Sequence, residues 1–541
     1  FWLKNFVSRL PQVSKDKGSL RMASVRNVLA SFTVIACGGL LFGYIIGING
    51  NIVTKGQLEC ETDGTPRATT PKAPSWSTIG YNQCYELSKL EEGLVSSLNL
   101  VGALLSSCIC FLYADAMGRK LEVLLGASFY MLGSIITALA PNMWCILAGF
   151  TVYGIGIGFA MHAAPIYIAE ISPASIRGTL VSAKEAVIVL GMFLGFFFGW
   201  AFSGMEPNGW RFMVAVAGIF ALLMGLGMMC IPQSPRYLVL RAVRSNGLVR
   251  GEEQYIAEAR AALQFFRAAS SPEEVEAELQ SMRTDAAASV GQQPVRMLEA
   301  FRYPRPLTIG CGLVLLQQIT GQPSVLYFAT NIFKSAGFKG LASASTVLVG
   351  LVKLVATLMT VWRVDKFGRR PLLFIGISMM CVALAIIATA FLNRSCETPG
   401  VSVADCDDDK ISLPKVWAIS TVIGLMLYVS GYQVGFGPIS WLMISEVFPL
   451  SVRGAALSIA AIVNFLGNIA MNFSSGVLQK AFTPSGVFYG YLALSVISIL
   501  FVWGQVPETK GKTLEEIEAM LSSKRHTRSS NSFASSSANG A

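Results

Sequence analysis

Few side chains in this sequence are equipped for covalent or metal chemistry, and those few lie far apart. The chain has two histidines, His162 and His526. A Ser-His-Asp hydrolase or a His-rich metal centre needs imidazole beside its partners, and this spacing offers neither. Gly511-Lys512-Thr513 looks like the end of a phosphate-cradling loop, but the upstream glycine position holds Val506. An ATP-driven machine loses its signature there. No nucleophile–base constellation points to an enzyme, and no cofactor or metal is expected. What remains is non-covalent chemistry. Glu185 and Lys353 stand inside long apolar runs, while Lys184, nearer the basic end of its span, is expected to snorkel. Charges at such positions are costly, so they pair or face a cavity. A carboxyl group held there can exchange a proton near neutrality. His162 is a lesser candidate for that role and reads first as a satisfied core histidine.

The runs that position these groups dominate the composition. Of 541 residues, 53% are hydrophobic and 14% charged, against about 25% charged in soluble domains. Mean hydropathy is +0.55. Spans are expected at approximately 29–52, 91–113, 122–141, 143–169, 180–204 and 210–231. A second set is expected near 306–333, 342–364, 371–392, 415–444, 453–477 and 485–506. Each is long enough to cross a hydrocarbon core of about 30 Å. Helices satisfy their own backbone polar groups, so a helical bundle is predicted. The short alternating strands of a membrane barrel are missing. The first span is too long and too late for a cleaved signal peptide.

The net charge is +10, and the basic residues sit in short loops rather than in a nucleic-acid-binding stripe. Lys4, Arg9, Lys15, Lys17, Arg21 and Arg26, then Arg119 and Lys120, then the arginines of the middle stretch, fall on one side of a twelve-span chain. Both termini are therefore expected in the cytosol. The reading divides the chain into a cytosolic N-terminal segment (1–27), a six-helix half (28–232), a cytosolic helical linker (233–304), a second six-helix half (305–506) and a cytosolic tail (507–541). Ser271 is the expected N-cap of a linker helix, with Glu273 and Glu274 in its first turn. Residues 524–541 are rich in Ser, Asn and Ala and are expected to be disordered.

The two halves repeat one another. Asp115-Ala-Met-Gly-Arg-Lys120 returns as Asp365-Lys-Phe-Gly-Arg-Arg370. Glu170-Ile-Ser-Pro-Ala-Ser-Ile-Arg-Gly178 returns as Glu446-Val-Phe-Pro-Leu-Ser-Val-Arg-Gly454. Pro232-Gln-Ser-Pro-Arg236 is echoed by Pro507-Glu-Thr-Lys-Gly511. Three punctuation marks in the same order imply two similar six-helix units with a site between them, as alternating access needs.

Jointly these motifs resemble the sugar porters of the major facilitator superfamily, over about residues 28–520. The segments Met161–Glu170, Gln317–Tyr327 and Trp441–Glu446 are most similar to plant vacuolar or plastidic glucose/xylose carriers and to hexose transporters of apicomplexan parasites. The resemblance implies an all-α membrane protein of twelve transmembrane helices in two pseudo-symmetric halves, the major facilitator fold. It implies a cytosolic latch in which Arg119, Lys120, Arg369 and Arg370 face carboxylates such as Glu170, Glu446 and Glu508, with Arg177 and Arg453 as further members. Gln233 stands where the family often has Glu, so the latch is expected to be weaker in the first half. It also implies a sugar site. Gln317 and Gln318 match the family's paired sugar-binding glutamines, and Gln322 lies one turn on. Gly321 and Pro323 should break the helix there, with Tyr327 as outer gate. Trp441 would stack on the sugar, and Asn464 would bond it. Amides both donate and accept, which suits hydroxyls.

Three departures from the family pattern stand out. Pro323 replaces an Asn. Lys353 replaces another amide. Glu185 replaces a sugar-binding glutamine. Glu185 and Lys353 are expected either to pair or to bond sugar or water. Proton-coupled members carry a carboxylate just after a Phe-Gly-Tyr turn, and here Phe42-Gly43-Tyr44 is followed by Ile45. The expectation is thus a facilitative hexose transporter, D-glucose first, acting as a monomer in the bilayer. Its rivals are a proton symporter using Glu185 and a non-transporting sugar sensor. Cys60, Cys84, Cys396 and Cys406 lie in the two loops opposite the basic side. The pairs 60–84 and 396–406 are one of three connectivities. An oxidising face suits a plasma membrane better than a plastid envelope, with vacuolar or plastid membranes as alternatives.

Overall fold

The computed structural model describes residues 18–53, 57–58, 87–205, 207–244, 249–268, 271–290, 301–327, 333, 342–396, 411–448, 452–512, 516–517 and 520–521. The first half holds α1 (Gly18–Ile52), α2 (Lys89–Met117), α3 (Arg119–Ala138), α4 (Met143–Ile171), α5 (Ala174–Ala201) and α6 (Gly209–Met229). The linker holds α7 (Pro235–Arg244), α8 (Val249–Phe266) and α9 (Pro272–Val290). The second half holds α10 (Pro304–Ile319), α11 (Gln322–Tyr327), α12 (Ala342–Phe367), α13 (Arg369–Leu392), α14 (Lys415–Val434), α15 (Phe436–Val447) and α16 (Arg453–Gln505). A short antiparallel pair, β1 (Ser395–Cys396) and β2 (Ile411–Ser412), precedes α14. Among the described residues eleven helical segments are long and apolar enough to span a membrane, α16 supplying two, Ala455–Ser474 and Ala481–Gln505. The twelfth span is the α10–α11 segment, which is interrupted.

Within a bilayer, helices gain from close approach of small residues. α1 and α5 use this fully. A Cβ on Gly43 would lie 1.8 Å from the Ile188 carbonyl oxygen, and one on Gly191 would lie 2.0 Å from that of Leu40. Tyrosine hydroxyls add polar ties to α1. Tyr130 donates to the Gly38 carbonyl at 2.9 Å and Tyr153 to that of Leu41 at 2.9 Å. In the second half, Gly376 of α13 abuts Gly431 and Gly435 of α14. The halves meet where α5 packs on α12, and where α2 packs on the first part of α16.

The described linker helices dock on the first half. Ser271 and Glu274 form a reciprocal cap, each backbone N–H bonded to the other's side chain at 3.2 Å. Arg260 pairs with Glu276 at 2.9 Å, and this contact holds the Glu276 carboxyl below its ordinary pKa. Arg267 reaches both Glu278 at 3.0 Å and the Ile171 carbonyl at 2.8 Å, fastening the linker to the end of α4.

Two glycines carry the repeat into the backbone. Gly118 ends α2 at φ 82°, ψ 152°, and Gly368 ends α12 at φ 92°, ψ 164°. That region is essentially reserved for glycine. A Cβ would also strike Gln233 and Tyr237 at Gly118, or Glu508 at Gly368. Gly368→Ala should therefore cost about 1–3 kcal/mol, visible as a lower melting temperature of the purified protein in detergent. An unchanged melting temperature would show that the turn does not depend on glycine.

Candidate functional site

Two groups of polar residues stand out, one at the basic end of the bundle and one at its centre. At the basic end the two halves carry corresponding contacts. Arg119 Nε meets Glu170 Oε1 at 3.4 Å, and Arg369 meets Glu446 Oε1 through Nη2 at 2.8 Å and Nε at 3.2 Å. The second oxygen of each glutamate takes a hydroxyl, from Ser234 in the first half and from Thr509 in the second. Lys120 Nζ caps the Met229 carbonyl at 3.1 Å, and Arg370 Nη2 caps that of Trp503 at 2.7 Å. Each ion pair joins two helices of the same half.

Glu508 receives backbone N–H groups from Arg369 at 3.1 Å, Arg370 at 3.0 Å and Lys510 at 2.9 Å. Its partner in the repeat is Gln233, whose Oε1 accepts from the N–H of Lys120 at 2.9 Å and of Ser234 at 3.2 Å. The glutamine thus occupies the same seat at the N-terminus of α3 that the glutamate occupies at α13, without the charge. Arg177, the further latch candidate of the first half, sits at the start of α5. It reaches the Ser172 carbonyl at 3.5 Å, and its buried Nε has no hydrogen-bond partner. No carboxylate within 4.0 Å pairs with it among the described residues. Burial first, then Arg236 and Arg267, pull its pKa down. The side chain of Arg453 lies outside the described residues.

At the centre, the span predicted to break does so at Thr320–Gly321. Gly321 has φ +99°, and Tyr491 packs where its Cβ would be. Tyr428 on α14 donates its hydroxyl to the Thr320 carbonyl at 3.1 Å, covering a backbone group the break exposes. Pro323 falls in the first turn of α11, where proline fits. Gln317, Gln318 and Gln322 are all buried around this break. Gln317 Nε2 donates to the Phe436 carbonyl at 3.3 Å, while the Oε1 atoms of Gln317 and Gln318 accept no hydrogen bond from the protein. The side chain of Tyr327 lies outside the described residues.

Asn464 is buried on α16, and Phe465 beside it meets Phe42 of α1 edge-on, with centroids 6.3 Å apart. Trp441 on α15 is only partly buried and packs against an apolar cluster that includes Val314 and Ala460. Lys353 on α12 is 2% exposed. Its Nζ lies 3.2 Å from Met192 Sδ on α5 and 5.5 Å from the Tyr432 ring centroid. Glu185, also on α5, is within electrostatic range of Lys184, Lys353 and Tyr432. Glu185 and Lys353 make no ion pair within 4.0 Å, so the direct pairing entertained from sequence is not the geometry found.

Sequence reasoning missed Gln433 and Tyr432 on α14. Gln433 is fully buried, donates to Thr357 Oγ1 at 2.5 Å, and leaves its Oε1 without a partner. The available signal was an amide in an otherwise apolar span beside Gly435. The reading also passed over Glu122, which is treated below.

The family described as "Sugar (and other) transporter" matches residues 31–521. The chain belongs to that family. It is a multi-pass membrane protein with the twelve-helix architecture of the major facilitator superfamily, and it acts on small sugars. It is 39% identical over 502 residues to "D-xylose-proton symporter-like 2" of Arabidopsis thaliana, covering 92% of this chain and 91% of that one. It is 40% identical over 502 residues to "D-xylose-proton symporter-like 3, chloroplastic" of the same plant, covering 92% and 82%. Among solved structures it resembles the proton:xylose symporter XylE bound to 6-bromo-6-deoxy-D-glucose, at TM-score 0.69, 25% identity, and coverage of 92% and 100%. The inward-open form of the xylose transporter XylE from E. coli gives TM-score 0.66 at 25% identity, covering 91% and 99%.

Partial burial works against the Glu508 carboxylate, yet the N–H groups of Lys510, Arg369, Arg370 and Thr509 together hold its pKa below the ordinary value. A depressed carboxylate contributes stability above its unfolded pKa and loses it as pH falls through the folded one. The stability gap between the native protein and Glu508→Gln should therefore be full at neutral pH and close below about pH 4. Melting curves across that range test it. A gap that persists in acid would show that the N–H groups do not depend on the charge.

Proposed function

We propose that this protein carries neutral pyranoses, D-glucose foremost, by alternating access of its two halves around the centre of the bundle. One observation carries the reading. Gln317, Gln318 and Gln433 bury amide oxygens that no protein group satisfies, beside a helix interrupted at Gly321. A buried acceptor left unpaired costs about 1–3 kcal/mol, and a sugar hydroxyl is a donor able to recover it. Gln322, Asn464 and Lys353 complete the polar lining. Trp441 and Tyr432 supply aromatic faces. The solved relative XylE holds a glucose derivative, which supports a glucose-class ligand in this scaffold.

Transport is facilitative in this reading. Between Arg26 and Ile52 there is no Asp or Glu, so α1 offers no carboxylate to ferry a proton. A specific observation favours the second reading, proton symport. Glu185 on α5 lies in range of Lys353 on α12, across the seam between the halves. The printed names of the plant relatives point the same way. We assign the basic end to the cytosol, with both termini there. In that orientation the Arg119–Glu170 and Arg369–Glu446 pairs latch the inner side. The plasma membrane is the proposed location, and one relative's name makes a plastid envelope the alternative.

Labelled D-glucose uptake into proteoliposomes, with and without an inward proton gradient, tests both readings. The expected result is equilibration without accumulation in either case. Accumulation that a proton ionophore abolishes would replace uniport with symport and place Glu185→Gln next. D-xylose that competes while D-glucose is not carried would move the substrate to pentoses. Gln317→Leu should lower uptake by about tenfold, the loss of one hydrogen bond of about 1.4 kcal/mol. Full activity in that variant would remove Gln317 from the site.

A further inference from the structure

Glu122 lies in the first turn of α3 with its side chain fully buried. Its Oε1 is 2.5 Å from His162 Nδ1 on α4. Its Oε2 is buried and has no hydrogen-bond partner. Cys110, fully buried on α2, completes the group: its Sγ, the imidazole nitrogen and the carboxylate oxygen all lie within 4.8 Å of one another. Cys110 is a free thiol. A cysteine, a glutamate and a histidine thus converge from three consecutive helices, α2, α3 and α4. His162 is the open side, its side chain 18% exposed.

Hydrogen bonding between His162 and Glu122 accounts for only part of this arrangement. It leaves Glu122 Oε2 without a hydrogen-bond partner of good geometry, although the Cys110 thiol lies close enough to interact with the carboxylate. A borderline divalent ion accounts for all three. Zinc takes thiolate sulfur at about 2.3 Å, imidazole nitrogen at about 2.0–2.1 Å and carboxylate oxygen at about 2.0–2.2 Å, commonly as three protein ligands with a fourth position open. Those bonds place donors roughly 3.5 Å apart around a tetrahedron, within reach of small side-chain shifts here. Charge also balances. A dication with one thiolate, one carboxylate and a neutral imidazole is a neutral complex, the form a low-dielectric interior tolerates best. Binding releases the thiol proton to water.

We propose that Cys110, Glu122 and His162 form a binding site for Zn²⁺ or a similar divalent ion. The site ties α2, α3 and α4 into one unit. Glu122 stands one turn from Arg119 on α3, and His162 stands on the same helix as Glu170. The ion therefore braces the two helices that the Arg119–Glu170 pair joins. A bound ion is expected to slow any rearrangement of that end, and hence sugar uptake. The site itself does not depend on which sugar is carried or on how transport is coupled.

The test begins with binding, on the full-length protein purified in detergent with a phosphine reductant. Equilibrium dialysis against ZnCl₂ with elemental analysis should find one tightly held ion per chain. Co²⁺ in its place should show sulfur-to-metal charge-transfer absorption. Cys110→Ser, nearly isosteric, should abolish that absorption, and His162→Gln should weaken zinc binding by at least about tenfold. In proteoliposomes, zinc should slow uptake by the native protein and do so far less in Cys110→Ser. Undiminished charge-transfer absorption in Cys110→Ser would assign the metal to another cysteine and overturn the proposal. So would the absence of stoichiometric zinc from the native protein. Failure of D-glucose uptake alone would count against the sugar reading while leaving the zinc stoichiometry intact.

Discussion

Inside a hydrocarbon layer a backbone N–H or C=O has no water to turn to, and each one left unpaired costs several kcal/mol. Most of this protein is the simplest answer to that constraint, long uninterrupted helices. Its working part is where the answer is broken. Opening the chain at Thr320–Gly321 frees backbone groups at membrane depth, and the protein supports the break from its neighbours. Tyr428 donates to the Thr320 carbonyl, and Gln317 reaches from just before the break to the Phe436 carbonyl at the start of α15. The Gln317 bond also ties α10 to α15 next to the discontinuity between α14 and α15 at Gly435. Two interrupted segments thus support each other. The polar groups that service the backbone are the same ones that leave acceptors over for a ligand.

The basic end answers a different demand. Helix α3 begins at Gly118 and α13 at Gly368, both in a conformation that only glycine accepts readily, and each exposes the N–H groups of a helix start. Glu508 caps one start and Gln233 the other. A neutral amide oxygen satisfies the same donors but contributes less to the positive end of a helix dipole. The two halves are therefore alike in geometry and unlike in electrostatics. The Arg369–Glu446 contact is also shorter and made through two nitrogens, where Arg119–Glu170 is a single bond of 3.4 Å.

How much of this was legible in the sequence depends on the kind of signal. The spans were legible because twenty apolar residues in a row have few other uses. The repeat was legible because glycine, proline and charge recur in order. The break at Gly321 followed from glycine and proline standing together. The pairing of Lys353 was not legible, since its ammonium contacts the sulfur of Met192, a residue that gives no polar signal. Gln433 was overlooked because an isolated amide in an apolar span reads as interhelical glue. The disulfide assignment could be followed only in part. Cys396 is disulfide-bonded, whereas Cys60, Cys84 and Cys406 lie outside the described residues, as does His526.

Glu122 shows why local pattern is a poor guide to buried charge. In sequence it is one more acid in the first turn of a helix, where a glutamate is expected to face solvent and complement the dipole. His162 reads as a core histidine, and Cys110 as a small hydrophobe. Only the antiparallel packing of α3 and α4, with α2 beside them, turns three unremarkable residues into one polar group inside an apolar bundle. The same packing separates the buried charges by task. Glu185 and Lys353 sit on opposite halves across the α5–α12 seam, so any movement of one half against the other changes their separation. Glu122 and His162 belong to a single half and travel together. Polar groups that face each other across the seam can report on the transport cycle, while groups confined to a half can only set that half's stiffness.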